Sequence, residues 1–330
     1  MARDAEQRLG GRYVALWASS TMSALGSGLA TIAAPLLVAS QTSDPLIVSA
    51  AFGVAWLPWL LFALPGGVLV DRVDRRRLMI LIDWVRAAVM AVLAVTIVTG
   101  YTSIALLYVV LFVVNTGEIV IRSATQAMIP SVVQRAALER ANGWLLGGAM
   151  LTHGMIAGPL GGFLFVVAAS LPFFVNAGAY VASAILIALV AGTYRSSPRL
   201  EGGAAGVDGG GVLTRELRSV RADVVEGFRW LAQQRLLRTM AVLIGLLNVT
   251  LTAATAVLVL LAKERLDLGS FGYGVLFTCM ALGGILGSVV GDRLIKWVTA
   301  TWTIRVGLLI EAGMHLALAT SRSAYFIGFA

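Results

Sequence analysis

Apolar runs of about 20 residues, each the length that crosses a bilayer as a helix, recur along almost the whole of this 330-residue chain, with short charged loops between them. Such a chain cannot hide its apolar surface in one soluble core. Its residues are 58% hydrophobic and only 13% charged, and its mean hydropathy is +0.88. The predicted fold class is an all-α integral membrane protein. A formal charge of +8 would point to nucleic acid in a soluble protein. Here the arginines gather in loops between spans, which reads as the positive-inside bias and as contact with anionic membrane lipids, so no nucleic-acid partner is expected. With one cysteine and two histidines, neither a metal site nor a cofactor is expected.

Complete spans are predicted near 13–40, 46–70, 78–99, 103–121, 142–168, 171–192, 239–262, 271–291 and 297–319, with a partial one over 323–330. The polar start carries Arg3, Arg8 and Arg12 directly before the first span. It is therefore expected on the cytoplasmic side, in a bacterial-type inner membrane, and it is not a signal peptide. The loop 71–77 then falls inside, as does one marked by Arg122, Arg135 and Arg140. A glycine-rich tract and an amphipathic, arginine-studded stretch over 213–235 read as a linker with a helix lying on the inner membrane face. The expected organisation is an N-terminal six-helix bundle over 1–193, a cytoplasmic linker over 194–237, and a C-terminal bundle over 238–330 that is incomplete.

The loop GGVLVDRVDRRR matches the pattern G-x-L-x-D-R-x-G-R-R at Gly67, Leu69, Asp71, Arg72, Arg75 and Arg76, with Asp74 at the glycine position. Asp292 and Arg293 stand at the same place after span eight, so the chain reads as an internal duplication. These residues resemble the signature of the major facilitator superfamily. The stretches MIPSVVQRAALERANG, GPLGG, FFVNAGAYVAS and EGFRWL are similar to its exporter branch of siderophore, macrolide and multidrug pumps. The resemblance implies two pseudo-repeated helical bundles and twelve spans, of which about ten are present. It also implies a role for the loop as a conformational latch, since a carboxylate and guanidiniums at a seam between bundles can hold one state and release it in another. Alternatively, the loop only fixes topology.

Ionisable groups at membrane depth are functional candidates by default. Asp83 and Arg86 are three apart near the inner end of span three and read as a self-satisfied pair supporting the latch. Glu118 and Arg122 are four apart at the inner end of span four and can pair along one face. If Arg122 is drawn into the loop, Glu118 is a titratable carboxylate suited to carry protons. His153 in span five is a further coupling candidate. So are Glu311 and His315, four apart in span nine, which could share a proton or hold a cationic substrate. Span five carries Gly154, Gly158, Pro159, Gly161 and Gly162, similar to the family's antiporter motif with its last glycine pair one residue early. Plain close packing of helices accounts for the same spacing. Candidate substrate contacts are Ser23, Asn115 and Asn248.

No nucleotide-binding loop, nucleophile elbow or metalloprotease motif is present in the sequence, so no enzyme is expected. The functional expectation is a monomeric secondary transporter that exports lipophilic, amphipathic small molecules in exchange for protons. A nutrient importer and a non-transporting truncated relative are the alternatives.

Overall fold

The computed structural model describes the backbone of residues 9–192, 194, 229–265, 268–297 and 300–320. Side chains at 63–69, 71, 72, 257, 264, 265, 285, 288–297, 300, 301, 303, 304 and 317–320 are outside that description. The chain builds α1 (Gly11–Gln41), α2 (Pro45–Arg72), α3 (Arg75–Thr99), α4 (Ile104–Val132) and α5 (Leu138–Ala149). A π-helical segment (Met150–Ile156) leads into α6 (Ala157–Val167), followed by α7 (Leu171–Ala188), α8 (Arg235–Leu260), α9 (Ser270–Trp297) and α10 (Ala300–Thr320). No strand occurs among the described residues.

Local chemistry sets the helix ends. Asp44 accepts the Leu46 N–H at 2.9 Å and Pro45 opens α2. Ser103 accepts the Leu106 N–H and starts α4. Gly100, at φ 77°, stops α3 in the left-handed region open to glycine.

Seven of the described helices are long and apolar enough to cross a membrane, and α9 holds a shorter apolar stretch, Ser270–Gly284. The sequence reading of nine complete spans is therefore met seven times among the described residues; the expected partial span 323–330 and most of the amphipathic stretch lie outside them. Span four differs most. It continues eleven residues beyond 121, through Arg122 to Val132, because no helix breaker intervenes and Pro130 falls only in the final turn. Arg122 is thus a helix residue, not a loop residue.

Met1–Ser196 and Ala256–Ala330 form one compact unit and Ser197–Thr255 a second. In the first unit α7 packs on both α1 and α3, α4 packs on α2 and α3, and α6 packs on α1 and α9. Two apolar clusters make its core. One gathers Leu29-flanking residues of α1 such as Ala33 and Leu37 with Met90, Leu93, Val110 and Phe173. The other gathers Tyr13, Leu16, Met79, Ala124, Met128 and Ile187. Along each of α1, α3, α4 and α7 the polar positions fall between these clusters.

The glycines of span five are used twice. Gly154, Gly158 and Gly162, four apart, face Ala281, Gly274 with Thr278, and Ser270 with Phe271 of α9. Gly161 and Ala157 face Leu29, Ile32 and Gly28 of α1. A Cβ on Gly158 would run into the Gly274 carbonyl oxygen, a backbone atom that cannot move aside, whereas one on Gly178 would meet nothing within 4 Å. Gly158→Ala should therefore cost about 1–3 kcal/mol through overpacking. Gly178→Ala should be neutral or slightly stabilising. Apparent melting temperatures of the two variants in detergent test the difference.

Candidate functional site

Arg86 is the largest fully buried side chain described, and it lies at residue 12 of the 25 in α3. A guanidinium there must find every partner inside the protein. Its Nη1 donates to Ser23 Oγ at 2.9 Å and to Asp83 Oδ1 at 3.3 Å. Its Nη2 donates to Ser27 Oγ at 2.9 Å, Glu118 Oε2 at 2.7 Å and the Tyr180 hydroxyl at 2.8 Å. The Tyr180 ring also lies under the guanidinium, 3.9 Å from Cζ to the ring centroid.

The carboxylates are themselves satisfied. Ser183 Oγ donates to Asp83 Oδ2 at 2.6 Å, and Ser19 Oγ is 2.9 Å from Ser183 Oγ. Ser27 Oγ donates to Glu118 Oε2 at 2.7 Å. Arg122 Nη2 lies 3.8 Å from Glu118 Oε1, with its side chain 64% exposed, and its Cζ is 5.3 Å from the Trp59 ring centroid.

The cluster thus joins α1, α3, α4 and α7 at mid-helix. Glu118 is residue 15 of the 29 in α4, so both pairs stand deeper than the inner-end position expected for them. The extra turns of α4 beyond Ile121 account for this for Glu118. Its main partner is Arg86, reached from another helix, and Arg122 is the weaker contact. Asp83 is fully buried and Glu118 is 16% exposed, so only the second carboxylate can be reached from outside the cluster.

The other expected residues fall elsewhere. Ser23 is buried against Arg86 and offers no open surface. Asn115 donates to the Leu111 carbonyl and Asn248 to the Ile244 carbonyl, each one turn back in its own helix. His153 lies in the π-helical segment, where its ring hydrogen-bonds to the Ala24 backbone. In α10, His315 Nδ1 lies 2.9 Å from the Glu311 carbonyl oxygen. Ser27, Tyr180, Ser183 and Ser19 were not singled out from sequence. Their signal was periodic: Ser19, Ser23 and Ser27 are four apart on α1, and Asn176, Tyr180 and Ser183 share a face of α7.

The motif loop is anchored through its departure from the family pattern. Asp74 caps α3 by accepting the Arg77 N–H at 2.9 Å, and its other oxygen accepts the Tyr194 N–H at 3.0 Å. Arg75 Nη1 donates to the Ala127 carbonyl, and Arg76 donates to the Ile187 and Ala188 carbonyls at the end of α7. The surroundings of Gly67 and the side chains of Asp71, Arg72, Asp292 and Arg293 lie outside the described residues. Partial burial raises the Asp74 carboxyl, but the two backbone donors and the charges of Arg77 and Arg76 outweigh it and hold it below the ordinary carboxylate value.

The fold is similar to that of the crystal structure of a bacterial homolog of the human lysosomal transporter Spinster, in an inward-facing and unoccupied conformation. The TM-score is 0.66 at 17% identity, covering 96% of this chain and 72% of that one. The chain therefore shares the major facilitator fold, with apolar helices meeting around an ion cluster at mid-helix. The chain belongs to the transmembrane secretion effector family of that superfamily, whose model matches residues 11–330. It is 30% identical over 234 residues to the multidrug efflux pump Tap of Mycolicibacterium fortuitum, covering 69% of this chain and 53% of that protein. It is also 30% identical over 135 residues to macrolide efflux protein A of Streptococcus pyogenes, covering 40% of this chain and 33% of that protein. The matched stretches therefore span a third to about half the length of these relatives.

Two outcomes are expected. Arg86→Met leaves two buried carboxylates without their shared cation and should cost roughly 3–5 kcal/mol. The triple neutral variant Asp83→Asn, Arg86→Met, Glu118→Gln should recover most of that loss, with thermal unfolding in detergent as the readout. Asp74→Ala should cost about 1 kcal/mol through the lost cap, and Asp74→Asn much less. Because the folded pKa of Asp74 is depressed, its contribution is present above the unfolded carboxylate value and disappears as pH falls through the folded one. A pH series on wild type and Asp74→Asn should show that acid step only in the wild type.

Proposed function

We propose that the chain is an exporter of amphipathic small molecules driven by protons, working by alternating access of two helical bundles in a cytoplasmic membrane. The observation that carries this reading is Glu118: a carboxylate at mid-helix, tied to Arg86 at 2.7 Å yet still 16% exposed. Asp83, wholly enclosed, serves as the fixed partner that keeps Arg86 in place. When a proton reaches Glu118, its negative charge is lost, Arg86 retains Asp83, and the hold of Glu118 on Arg86 and Arg122 weakens. Helices α1, α3, α4 and α7 meet at that point, so the change in charge acts on the packing of the whole bundle. The direction of transport is taken from the efflux proteins to which the chain is related.

In this reading the loop around Asp74, with Arg75 and Arg76 on the carbonyls of α4 and α7, braces the cytoplasmic end of the bundle. Anionic lipids meet the neighbouring arginines there.

Cells expressing the chain should accumulate less of a fluorescent lipophilic cation than control cells, and a protonophore should abolish the difference. Glu118→Gln should remove the protonophore-sensitive export while leaving expression intact. Export that ignores both the protonophore and Glu118→Gln would contradict the reading.

A further inference from the structure

One charge of the cluster is held unlike the others. With both carboxylates ionised, Arg86, Asp83 and Glu118 together carry a net negative charge, since one guanidinium faces two carboxylates. Arg122 supplies the missing positive charge, but loosely. Its Nη2 is 3.8 Å from Glu118 Oε1, where Arg86 is at 2.7 Å from Oε2, and it is 64% exposed against 1% for Arg86. Among the described residues Glu118 is its one carboxylate partner. The other neighbour is aromatic: Trp59, residue 15 of the 28 in α2, whose ring centroid is 5.3 Å from the guanidinium carbon.

An aromatic face beside a carboxylate oxygen that Arg86 does not hold is the chemistry that receives a cation. The occupant is a side chain of the same molecule, and an exposed ion pair of this length is cheap to break. We infer that Arg122 is a tethered stand-in for the substrate, and that an organic monocation with an apolar body takes its place on Trp59 and Glu118. This rests on the export reading and names the class of molecule exported. Exchange is electrically neutral: the incoming cation replaces the positive charge that swings away. Rings on the substrate would meet Trp59, as the arginine plane does now. The alternative, an anion recruited by the exposed guanidinium, makes the opposite demand of Arg122, which would then be required for binding instead of competing with it.

Equilibrium binding of radiolabelled tetraphenylphosphonium to the purified chain in detergent separates these, with tetraphenylborate as the anion of the same shape and empty micelles subtracted. Arg122→Gln should bind the phosphonium roughly three- to tenfold tighter than wild type. Arg122→Lys should stay near wild type, because a tethered cation remains. Adding Trp59→Ala to Arg122→Gln should cancel the gain, and Arg140→Gln, the same charge change in the first turn of α5, should have no effect. The inference is overturned if Arg122→Gln binds phosphonium no tighter or more weakly, if wild type prefers the borate and Arg122→Gln loses it, or if neither chain binds phosphonium. The same pattern of affinities without export from cells would instead overturn the export reading and leave the cation site standing.

Discussion

A guanidinium buried at mid-helix is the constraint on which the rest of this bundle depends. Arg86 can be stable there only if Asp83 of its own helix is joined by a second carboxylate, two serine hydroxyls and a tyrosine from three other helices. That requirement fixes the rotation of α1, α4 and α7 about their own axes, since a turn of any of the three would take a partner away from a buried charge. The two apolar clusters on either side of the polar layer supply the general attraction. They would tolerate sliding and rotation that the ion cluster does not. The asymmetry between its carboxylates then decides how the site can work: Asp83 is sealed, and Glu118 keeps one oxygen at the edge.

Small residues set the second constraint. Span five packs on α1 through Gly161 and Ala157 and on α9 through Gly154, Gly158 and Gly162, and both faces are only as close as hydrogen side chains permit. The π-helical segment carries His153 and Gly154, and a Cβ on Gly28 would meet the His153 backbone there as well as Ala157 at the start of α6. Each of these glycines thus lies where a neighbouring helix leaves little room for a side chain.

Much of this was legible in the sequence. Apolar run length and arginine placement marked the spans, and the DRVDRRR loop marked the superfamily. The four-residue spacing of Glu118 and Arg122 marked a real contact. Periodicity within one helix could not reveal that Arg86, on another helix, is the stronger partner of Glu118, because pairing across helices depends on rotation and depth. Depth itself was misjudged where α4 runs on past Ile121, since a lone arginine was read as the start of a loop when an exposed edge of the helix can hold it. Ser27 and Tyr180, which hold Arg86, and Ser183, which holds Asp83, escaped notice because these residue types are common in membrane helices; only the packing of the helices brings them to one ion cluster.

The central claim is that Glu118 is the carboxylate that exchanges a proton. Infrared difference spectra of the purified chain in lipid, recorded as pH is stepped downward, test it most directly, because a protonated carboxylic acid has its own carbonyl band. The account predicts a band that grows on acidification, is absent in Glu118→Gln and persists in Asp83→Asn. A band that survives Glu118→Gln and vanishes in Asp83→Asn would place the proton on the sealed carboxylate and contradict the account.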